Sequence, residues 1–374
     1  MSRPLRVLAL TTYPEYAAAT RYRVLQYVPL LRDLGVELHV RPFVTNRTFA
    51  GLYDRRKVAR TAAGILAGIA RRFADVLRLG AYDVVFVQRE AALLGPPLAE
   101  WLSQRRLPLV LDLDDSTYIE RRSEVFGAFA AALKWRGKTN QMLRWSDHVV
   151  CGNPTIAAYA ERMGLPTSVL PTIVSVDRFT PRTAAPGAGE DVPVLGWIGT
   201  HSTFPYLRTL FPVFRRLAEV HRFRLRIIGA GAERVEVEGV EVESLPWKLD
   251  SEIADLQSFD AAVYPLIVEE FSEGKSGFKA IQYLSCGIPY VVTPIGIVTQ
   301  LGVPGTTHLE ARTDDEWFHA LSRLLSGAAL RREMGAKGRA YAVEHFSTRR
   351  TAEELARVFR AVVEKKQEKK KAAR

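Results

Sequence analysis

The stretch at residues 273–289, EGKSGFKAIQYLSCGIP, decides how the second half of this chain folds. It predicts a polar loop that leads into a short helix, and the apolar strand Tyr290–Val292 follows. The N-terminus of a helix presents unpaired N–H groups and a partial positive charge, so it attracts anions. Lys275 and Lys279 lie on either side of the expected helix start, and Gly277 allows a ligand to approach the backbone closely. The stretch therefore predicts a phosphate site.

The rest of the chain alternates between apolar strand patterns and helical patterns, which is typical of doubly wound α/β sheets. The first half predicts strands at residues 6–10, 37–41, 84–87, 109–112 and 148–151, and the second half at 194–198, 224–228, 240–242, 261–264 and 290–292. A stretch at residues 180–189 is rich in Pro and Gly, and it predicts a linker. The pattern therefore predicts two Rossmann-like domains that face a cleft, with ligands beyond the carboxyl ends of the strands.

This pattern divides the chain into an N-terminal domain at residues 1–180, a linker at 181–192, a second domain at 193–346 and a terminal segment at 347–374. The terminal segment predicts a helix, which Ser347 can cap, and a basic tail. The apolar residues on one side of this helix are Leu355, Val358, Phe359 and Val362. We expect the helix to cross back and pack on the first domain.

The composition is that of a globular chain in water, because 47% of its 374 residues are hydrophobic and 25% are charged. No apolar run is long enough to span a bilayer. Two cysteines, Cys151 and Cys286, give neither a disulfide framework nor a metal cluster. The net charge of +11 fits an anionic partner, but no zinc-ligand spacing or aromatic-basic strand indicates nucleic acid. We therefore expect a cytoplasmic protein with no nucleic-acid partner.

Residues 55–79 predict a long helix with an apolar stripe and a mostly basic opposite side. The stripe consists of Val58, Ala62, Ile65, Leu66, Ile69, Phe73, Val76 and Leu77. The basic residues are Arg56, Lys57, Arg60, Arg71 and Arg78. One interpretation is a surface helix that packs on its sheet. The other is a helix that meets an anionic membrane surface, which is then a further candidate partner.

Several short motifs follow one another in a recognisable order. They are TRYR at residues 20–23, QRE at 88–90, DLDD at 112–115, GNP at 152–154, GWIGTHST at 196–203 and the lysine-flanked stretch at 275–289. In the order and spacing of these motifs the chain resembles the retaining, nucleotide-sugar-dependent glycosyltransferases of family 4 (group 1), which have the GT-B fold. The resemblance implies a hexosyltransferase-like enzyme with a nucleotide diphosphate sugar as donor substrate and no resident cofactor.

The chain departs from this family at two places. The family commonly has two glutamates beside the Gly-rich donor loop, but here the second position is Gln282, and the first falls at Gly274 with Glu273 beside it. The family also often has an Arg and a Lys after the first strand of the second domain, where residues 200–203 read THST. We expect the two lysines of the 273–289 stretch to supply the missing positive charge.

The predicted donor site stabilises the negative charge that builds on the leaving phosphate. Ser202 or Thr203 can also cap the helix after Gly199. Gln282 either binds a ribose hydroxyl or packs its helix, and Trp247 either flanks the nucleobase or packs. The predicted donor-binding residues are Gly199, Thr200, His201, Ser202, Thr203, Gly229, Trp247, Glu273, Lys275, Ser276, Gly277, Phe278, Lys279 and Gln282.

The first half supplies the predicted catalytic residues, which are Asp112, Asp114, Asp115, Arg89 and Arg21. The three carboxylates crowd the end of one strand, where they could hold a divalent metal or accept hydrogen bonds from sugar hydroxyls. The resemblance favours sugar hydroxyls and no metal, because the family is generally metal-independent. A structural alternative is that Asp115 caps a following turn and that Asp112 forms a salt bridge, for which Arg89 is the candidate partner. We expect Arg21 to reach the donor phosphate or an anionic acceptor.

The leading hypothesis is a retaining glycosyltransferase of glycan biosynthesis for the cell envelope, with a glycan or lipid-linked glycan as acceptor. We expect it in the cytoplasm, with the inner membrane face as a candidate place of attachment. The alternatives are a nucleotide-sugar epimerase or a phosphorylase of the same fold, and a non-catalytic nucleotide-sugar-binding protein. The missing glutamates keep the last alternative open.

Overall fold

The computed structural model describes residues 3–52, 55–119, 135–183, 192–231 and 234–372. The strands are β1 (Leu5–Thr11), β2 (Val36–Pro42), β3 (Val84–Gln88), β4 (Leu109–Leu113), β5 (His148–Cys151), β6 (Thr167–Val169), β7 (Val194–Ile198), β8 (Arg224–Ile228), β9 (Glu241–Leu245), β10 (Ala261–Tyr264), β11 (Tyr290–Val292) and β12 (Leu309–Glu310).

The α-helices are α1 (Ala18–Arg23), α2 (Val28–Asp33), α3 (Asn46–Phe49), α4 (Val58–Leu77), α5 (Leu98–Gln104), α6 (Lys138–Trp145), α7 (Pro154–Arg162), α8 (Phe204–Arg208), α9 (Phe211–Val220), α10 (Glu252–Gln257), α11 (Glu270–Glu273), α12 (Phe278–Ser285), α13 (Asp314–Ser326), α14 (Ala328–His345) and α15 (Thr348–Ala372). Short 3-10 turns occupy Leu25–Tyr27, Arg55–Lys57, Leu79–Ala81 and Gly296–Gln300. Among the described residues, no helix is long and apolar enough to cross a membrane.

The chain forms two compact units. Unit 1 comprises Met1–Thr172, Gly274–Ser276 and Thr348–Arg374, and unit 2 comprises Ile173–Glu273 and Gly277–Ser347. Of the expected linker at residues 181–192, the part at 184–191 lies outside the described residues.

Unit 1 contains a parallel sheet with the strand order β2-β1-β3-β4-β5-β6. The central strands β3 and β4 are buried along their whole length, as the apolar runs of a sheet covered on both faces require. One core cluster joins the sheet to α4, α5, α6 and α7, and a second joins it to α2 and α15. The terminal helix α15 thus belongs to unit 1, where the Phe359 ring lies 5.4 Å from the Phe86 ring.

Unit 2 contains a second parallel sheet with the order β12-β11-β10-β7-β8-β9. Its core packs the apolar faces of α8, α9 and α13 against β7, β8 and β10. The two parallel sheets with their helices confirm the predicted fold class, an α/β protein of two Rossmann-like domains. The short edge strands β6 and β12 add to the predicted set.

Helix α4 does not pack on its sheet through the predicted stripe. Most of the stripe's large side chains are exposed, whereas Gly68, Arg72, Asp75 and Val76 are buried. The reason is that Arg72 donates hydrogen bonds to backbone carbonyl oxygens near the ends of two strands. Helix α4 therefore packs on unit 1 as the first interpretation expects, but through this buried face, and most of its stripe faces outward.

Candidate functional site

Three turns meet at the carboxyl edge of the sheet in unit 2. They follow β7, β8 and β9, and they contain Gly199, Gly229 and Trp247. Gly229 has a φ of +81°, and a Cβ there would lie 2.3 Å from the Gly199 carbonyl oxygen and 3.2 Å from the Trp247 Cβ. Only glycine fits this position without strain. The structure thus brings three predicted donor-binding residues together.

The turn after Gly199 is held by its own hydroxyl groups. The Thr200 N–H donates to the Thr203 hydroxyl at 3.0 Å, and the hydroxyls of Thr200 and Ser202 lie 2.8 Å apart. Thr203 occupies the N-cap of α8, but its side chain makes no capping hydrogen bond, so the predicted capping by Ser202 or Thr203 is wrong. His201 is exposed as a residue, but its ring is partly shielded from water, and this desolvation lowers the pKa of the imidazole. Thr200 and Ser202 are both exposed.

Lys279 lies in the first turn of α12. Its Nζ lies 5.8 Å from the centre of the Trp197 ring and 5.1 Å from that of Tyr264. The electron-rich faces of aromatic rings attract an ammonium group at such distances. Both aromatic residues belong to strands of the unit 2 sheet, so Lys279 is held beside the strands β7 and β10.

The other predicted residues of α12 serve its packing. Gln282 is buried and donates a hydrogen bond to Glu252 at 3.4 Å, which fits the packing alternative for this residue. Gly277 has a φ of +64°, and a Cβ there would lie 2.6 Å from Cδ1 of Leu301. A side chain at position 277 would therefore be strained and would clash with Leu301, so glycine is required at the start of this helix. Phe278, the first residue of α12, is half-buried.

The tripeptide Gly274–Ser276 belongs to unit 1, although Glu273, which is exposed, ends α11 in unit 2. The Asn153 side chain donates a hydrogen bond to the Gly274 carbonyl oxygen at 2.8 Å. A Cβ at Gly274 would lie 1.5 Å from the Ser116 hydroxyl. The position where the family commonly has a glutamate therefore has no room for a side chain.

Asn153 also belongs to this site, although the sequence indicated it only as part of the GNP motif at residues 152–154. Besides binding the tripeptide, it caps α7, because its side-chain oxygen accepts a hydrogen bond from the Ile156 N–H at 2.9 Å. An Asn between a strand and a Pro is a sequence signal for such a cap. The hydrogen bond to Gly274 joins residues 121 positions apart, so no local sequence pattern predicts it.

Asp112 pairs with Arg23, so the predicted salt bridge to Arg89 is wrong. Both side chains are buried, and the Arg23 guanidinium donates two hydrogen bonds to the carboxylate, one from Nε at 3.1 Å. Burial raises the pKa of Asp112, and the positive charge of Arg23 opposes that rise. Arg23 and Asp112 are 89 positions apart in the sequence, so no local pattern predicts this ion pair.

Arg89 pairs instead with the two other carboxylates. Its Nε and Nη2 donate to Asp114 at 2.5 and 2.8 Å, and Nη2 also donates to Asp115 at 2.6 Å. Burial alone would raise the pKa of Asp114, but Arg89 and Arg23 hold it below its usual range. Burial raises the pKa of Asp115, against the pull of Arg89.

Asp115 also contacts the tripeptide. It accepts a hydrogen bond from the Ser276 N–H, and the charge of Lys275 opposes the rise that burial causes in the pKa of Asp115. The predicted residues Lys275, Ser276, Asp114, Asp115 and Arg89 thus lie together in unit 1. Within the described residues, no group of His, Cys, Asp and Glu side chains is arranged to hold a metal ion. The remaining acceptor capacity of the carboxylates suits hydroxyl groups.

Arg21 contacts the loop that follows β1. Its guanidinium donates to the carbonyl oxygens of Glu15 and Tyr16, both at 2.9 Å, and lies 5.0 Å from the centre of the Tyr22 ring. These bonds hold the loop after β1.

Residues 192–327 match the family model described as Glycosyl transferases group 1. No functionally curated protein matches the sequence significantly. Among solved structures, sucrose-phosphate synthase from Thermosynechococcus elongatus is similar with 16% identity and a TM-score of 0.65, over 96% of this chain and 99% of that chain. HepE from Anabaena in complex with UDP is similar with 13% identity and a TM-score of 0.64, over 96% and 100%. At such identities these structures show the shared fold. The chain therefore has the GT-B fold of these proteins, and its residues 192–327 match the group 1 glycosyltransferase domain.

Proposed function

We propose that the protein is a retaining glycosyltransferase that moves a sugar from a nucleotide diphosphate to a hydroxyl of a glycan or lipid-linked glycan. The observation that carries this proposal is the edge of the unit 2 sheet, where three turns meet within the matched domain. Parallel α/β sheets bind nucleotides at this edge. HepE, a protein of the same fold, has been solved in complex with UDP-glucose, so uridine diphosphate sugars are the first donors to test.

Each part of this edge has a proposed role. Lys279 and the hydroxyls of Thr200 and Ser202 bind the diphosphate, and Trp247 flanks the base. The bond between the sugar C1 and the phosphate oxygen breaks, and C1 bonds to the acceptor oxygen on the same face of the ring. The acceptor proton passes to the leaving phosphate, and positive groups already in place stabilise the charge. This chemistry needs no resident cofactor.

In unit 1, we assign the sugar and acceptor contacts to Asp114, Asp115 and Arg89. The side chains of Asp115 and Arg89 are 27% and 26% exposed, so both can meet a ligand. Their mutual ion pairs fix the direction of their remaining hydrogen-bonding groups. Lys275, in the same unit, is proposed as a contact for an anionic group. We place the reaction in the cytoplasm.

The second candidate function is nucleotide-sugar binding without transfer. It is supported by the two positions where the family commonly has glutamates. Gln282 is buried against Glu252, and Gly274 has no space for a side chain. A protein of this kind would bind the donor and leave it intact.

A transfer assay separates these functions. The protein is incubated with uridine diphosphate sugars, with and without oligosaccharide and lipid-linked acceptors, and NMR gives the anomeric configuration of the product. Transfer with the donor's configuration supports the proposal, and an inverted product contradicts it. Free nucleotide released without an acceptor indicates an epimerase-like or hydrolytic reaction. Donor binding without any turnover supports the second candidate.

A further inference from the structure

Helix α4 carries its large apolar side chains outward. Val58 is 63% exposed, Leu66 67%, Ile69 38%, Phe73 54% and Leu77 81%. Because these positions recur mostly every three or four residues, they form one stripe along a helix of 20 residues, which is about 30 Å long. A surface helix normally turns such a stripe toward the core. An outward apolar stripe of this size marks an interaction surface.

The buried face of α4 fixes this orientation. Arg72 is buried and donates hydrogen bonds to the carbonyl oxygens of Thr11 and Arg41, both at 2.8 Å. It also donates to Asp75 at 2.8 Å, and Asp75 accepts a second bond from the Arg41 side chain at 3.1 Å. Turning the stripe inward would strip these buried groups of their partners, at a cost of several kcal/mol. The apolar stripe therefore has to face outward.

The charge beside the stripe has one sign. Arg60 and Arg78 are exposed and lie along one flank of α4, because their spacing of 18 residues returns to the same side of a helix. Arg71 lies on that flank too, but its guanidinium donates to the Phe43 carbonyl oxygen at 2.7 Å. Asp75 is the only acidic residue in the sequence from 55 to 82, and it is buried. The outward surface is thus apolar along its centre and positive along one edge.

We propose that α4 docks in the plane of an anionic membrane surface, with the apolar stripe among the lipid chains and the flanking arginines at the headgroup phosphates. A second copy of this chain complements the surface less well, because its α4 would bring more arginines and no exposed acid. The inference goes beyond the proposed sugar transfer and stands independently of it.

The test uses the full chain with an environment-sensitive NBD label on one engineered cysteine. Phe73→Cys places the label in the stripe. Val220→Cys is the matched control, because Val220 is an exposed apolar residue of α9 in unit 2. The native Cys151 and Cys286 are buried, and burial raises the pKa of each thiol to about 12, so neither competes for the label.

Vesicles of phosphatidylcholine mixed with phosphatidylglycerol should shift the emission of the label at position 73 to shorter wavelength. The label at position 220 should not respond. Binding should weaken by about tenfold or more on vesicles of phosphatidylcholine alone, and likewise in high salt, because the arginines then lose their attraction to the headgroups.

A second variant tests the apolar part alone. Leu66→Ser combined with Leu77→Ser keeps every charge and changes only exposed side chains, so it should fold and lose more than about tenfold in vesicle binding. Its transfer to a soluble acceptor should equal that of the parent chain. The proposal is overturned if anionic vesicles leave the position 73 emission unchanged. It is also overturned if that label is in apolar surroundings before vesicles are added, since another part of the chain or a second copy would then cover the stripe.

Discussion

Arg89 shows how one backbone angle arranges the carboxylates of unit 1. Its φ of 60° lies in the left-handed region, which costs a residue with a side chain about 1–2 kcal/mol. The conformation lets the Arg89 N–H bond the Asp112 carbonyl oxygen at 2.8 Å while its guanidinium binds Asp114 and Asp115. The sequence indicated all four residues, but their pairing depends on this angle, which no local pattern reveals.

Gly274 is predicted to tolerate no side chain. Gly274→Ala places a Cβ 1.5 Å from the Ser116 hydroxyl, so the variant should lose about 1–3 kcal/mol in the free energy of unfolding. The double variant Gly274→Ala, Ser116→Gly should recover most of the lost stability, because it lacks the clashing hydroxyl. Urea denaturation measures both variants.

Gly80→Ala is the matched control, since no atom lies within 4 Å of a Cβ at that glycine. If Gly274→Ala proves as stable as Gly80→Ala, the close contact with Ser116 does not exist in solution.

His308 is predicted to make the stability of unit 2 depend on pH. Burial lowers its pKa to about 4, whereas an unfolded chain has a histidine pKa of about 6.5. The unfolded state therefore binds a proton first, and the contribution of His308 is complete above about pH 6.5 and lost as the pH falls toward 4. The free energy of unfolding should fall by about 2–3 kcal/mol over this range. The Glu310 carboxylate, 3.9 Å from Nε2 of His308, reduces this loss because it stabilises the protonated ring.

Chemical denaturation at a series of pH values, for the parent chain and for His308→Phe, measures this effect. The difference between the two in the free energy of unfolding should shrink or reverse on acidification. A difference that stays constant from about pH 7 to about pH 4 would show that His308 is not shielded from water.

At the scale of elements, the terminal helix α15 is predicted to stabilise unit 1. Phe359→Ala removes a fully buried ring that packs on Phe86, and it should lower the free energy of unfolding by about 3–5 kcal/mol. Val343→Ala on α14 changes an exposed side chain and should stay within about 0.5 kcal/mol of the parent. Equal stability of both variants would mean that α15 contributes nothing to the core of unit 1.

Elements with a strong local pattern could be predicted from the sequence. The buried strands β3 and β4 consist mostly of apolar residues, and α15 has an apolar stripe that does face the core. The edge strands β6 and β12 have only three and two residues, so their pairing partners define them. The orientation of α4 was equally hidden, because periodicity identifies a stripe but not the buried network around Arg72 that turns it outward.

At the scale of the molecule, the alternation of strands and helices was enough to predict two parallel sheets. The candidate site could be predicted only as a set of residues. The structure distributes that set, with Lys279 and the three turns in unit 2, and Lys275, Ser276 and the carboxylates in unit 1. Within unit 1, the tripeptide Gly274–Ser276 is bound by the hydrogen bond from Asn153 to Gly274, which joins distant parts of the sequence and leaves no local signal.

The central claim is that the edge of unit 2 binds the diphosphate of an activated sugar. Its most direct test is calorimetric titration of UDP into the parent chain, into Lys279→Met and into the control Lys337→Met, whose lysine is exposed and pairs with Glu333. We predict binding that Lys279→Met weakens by about 10- to 100-fold, because a charged hydrogen bond is lost, while the control binds like the parent. An unchanged dissociation constant for Lys279→Met, or no binding of UDP or any other nucleoside diphosphate to the parent chain, would contradict the claim.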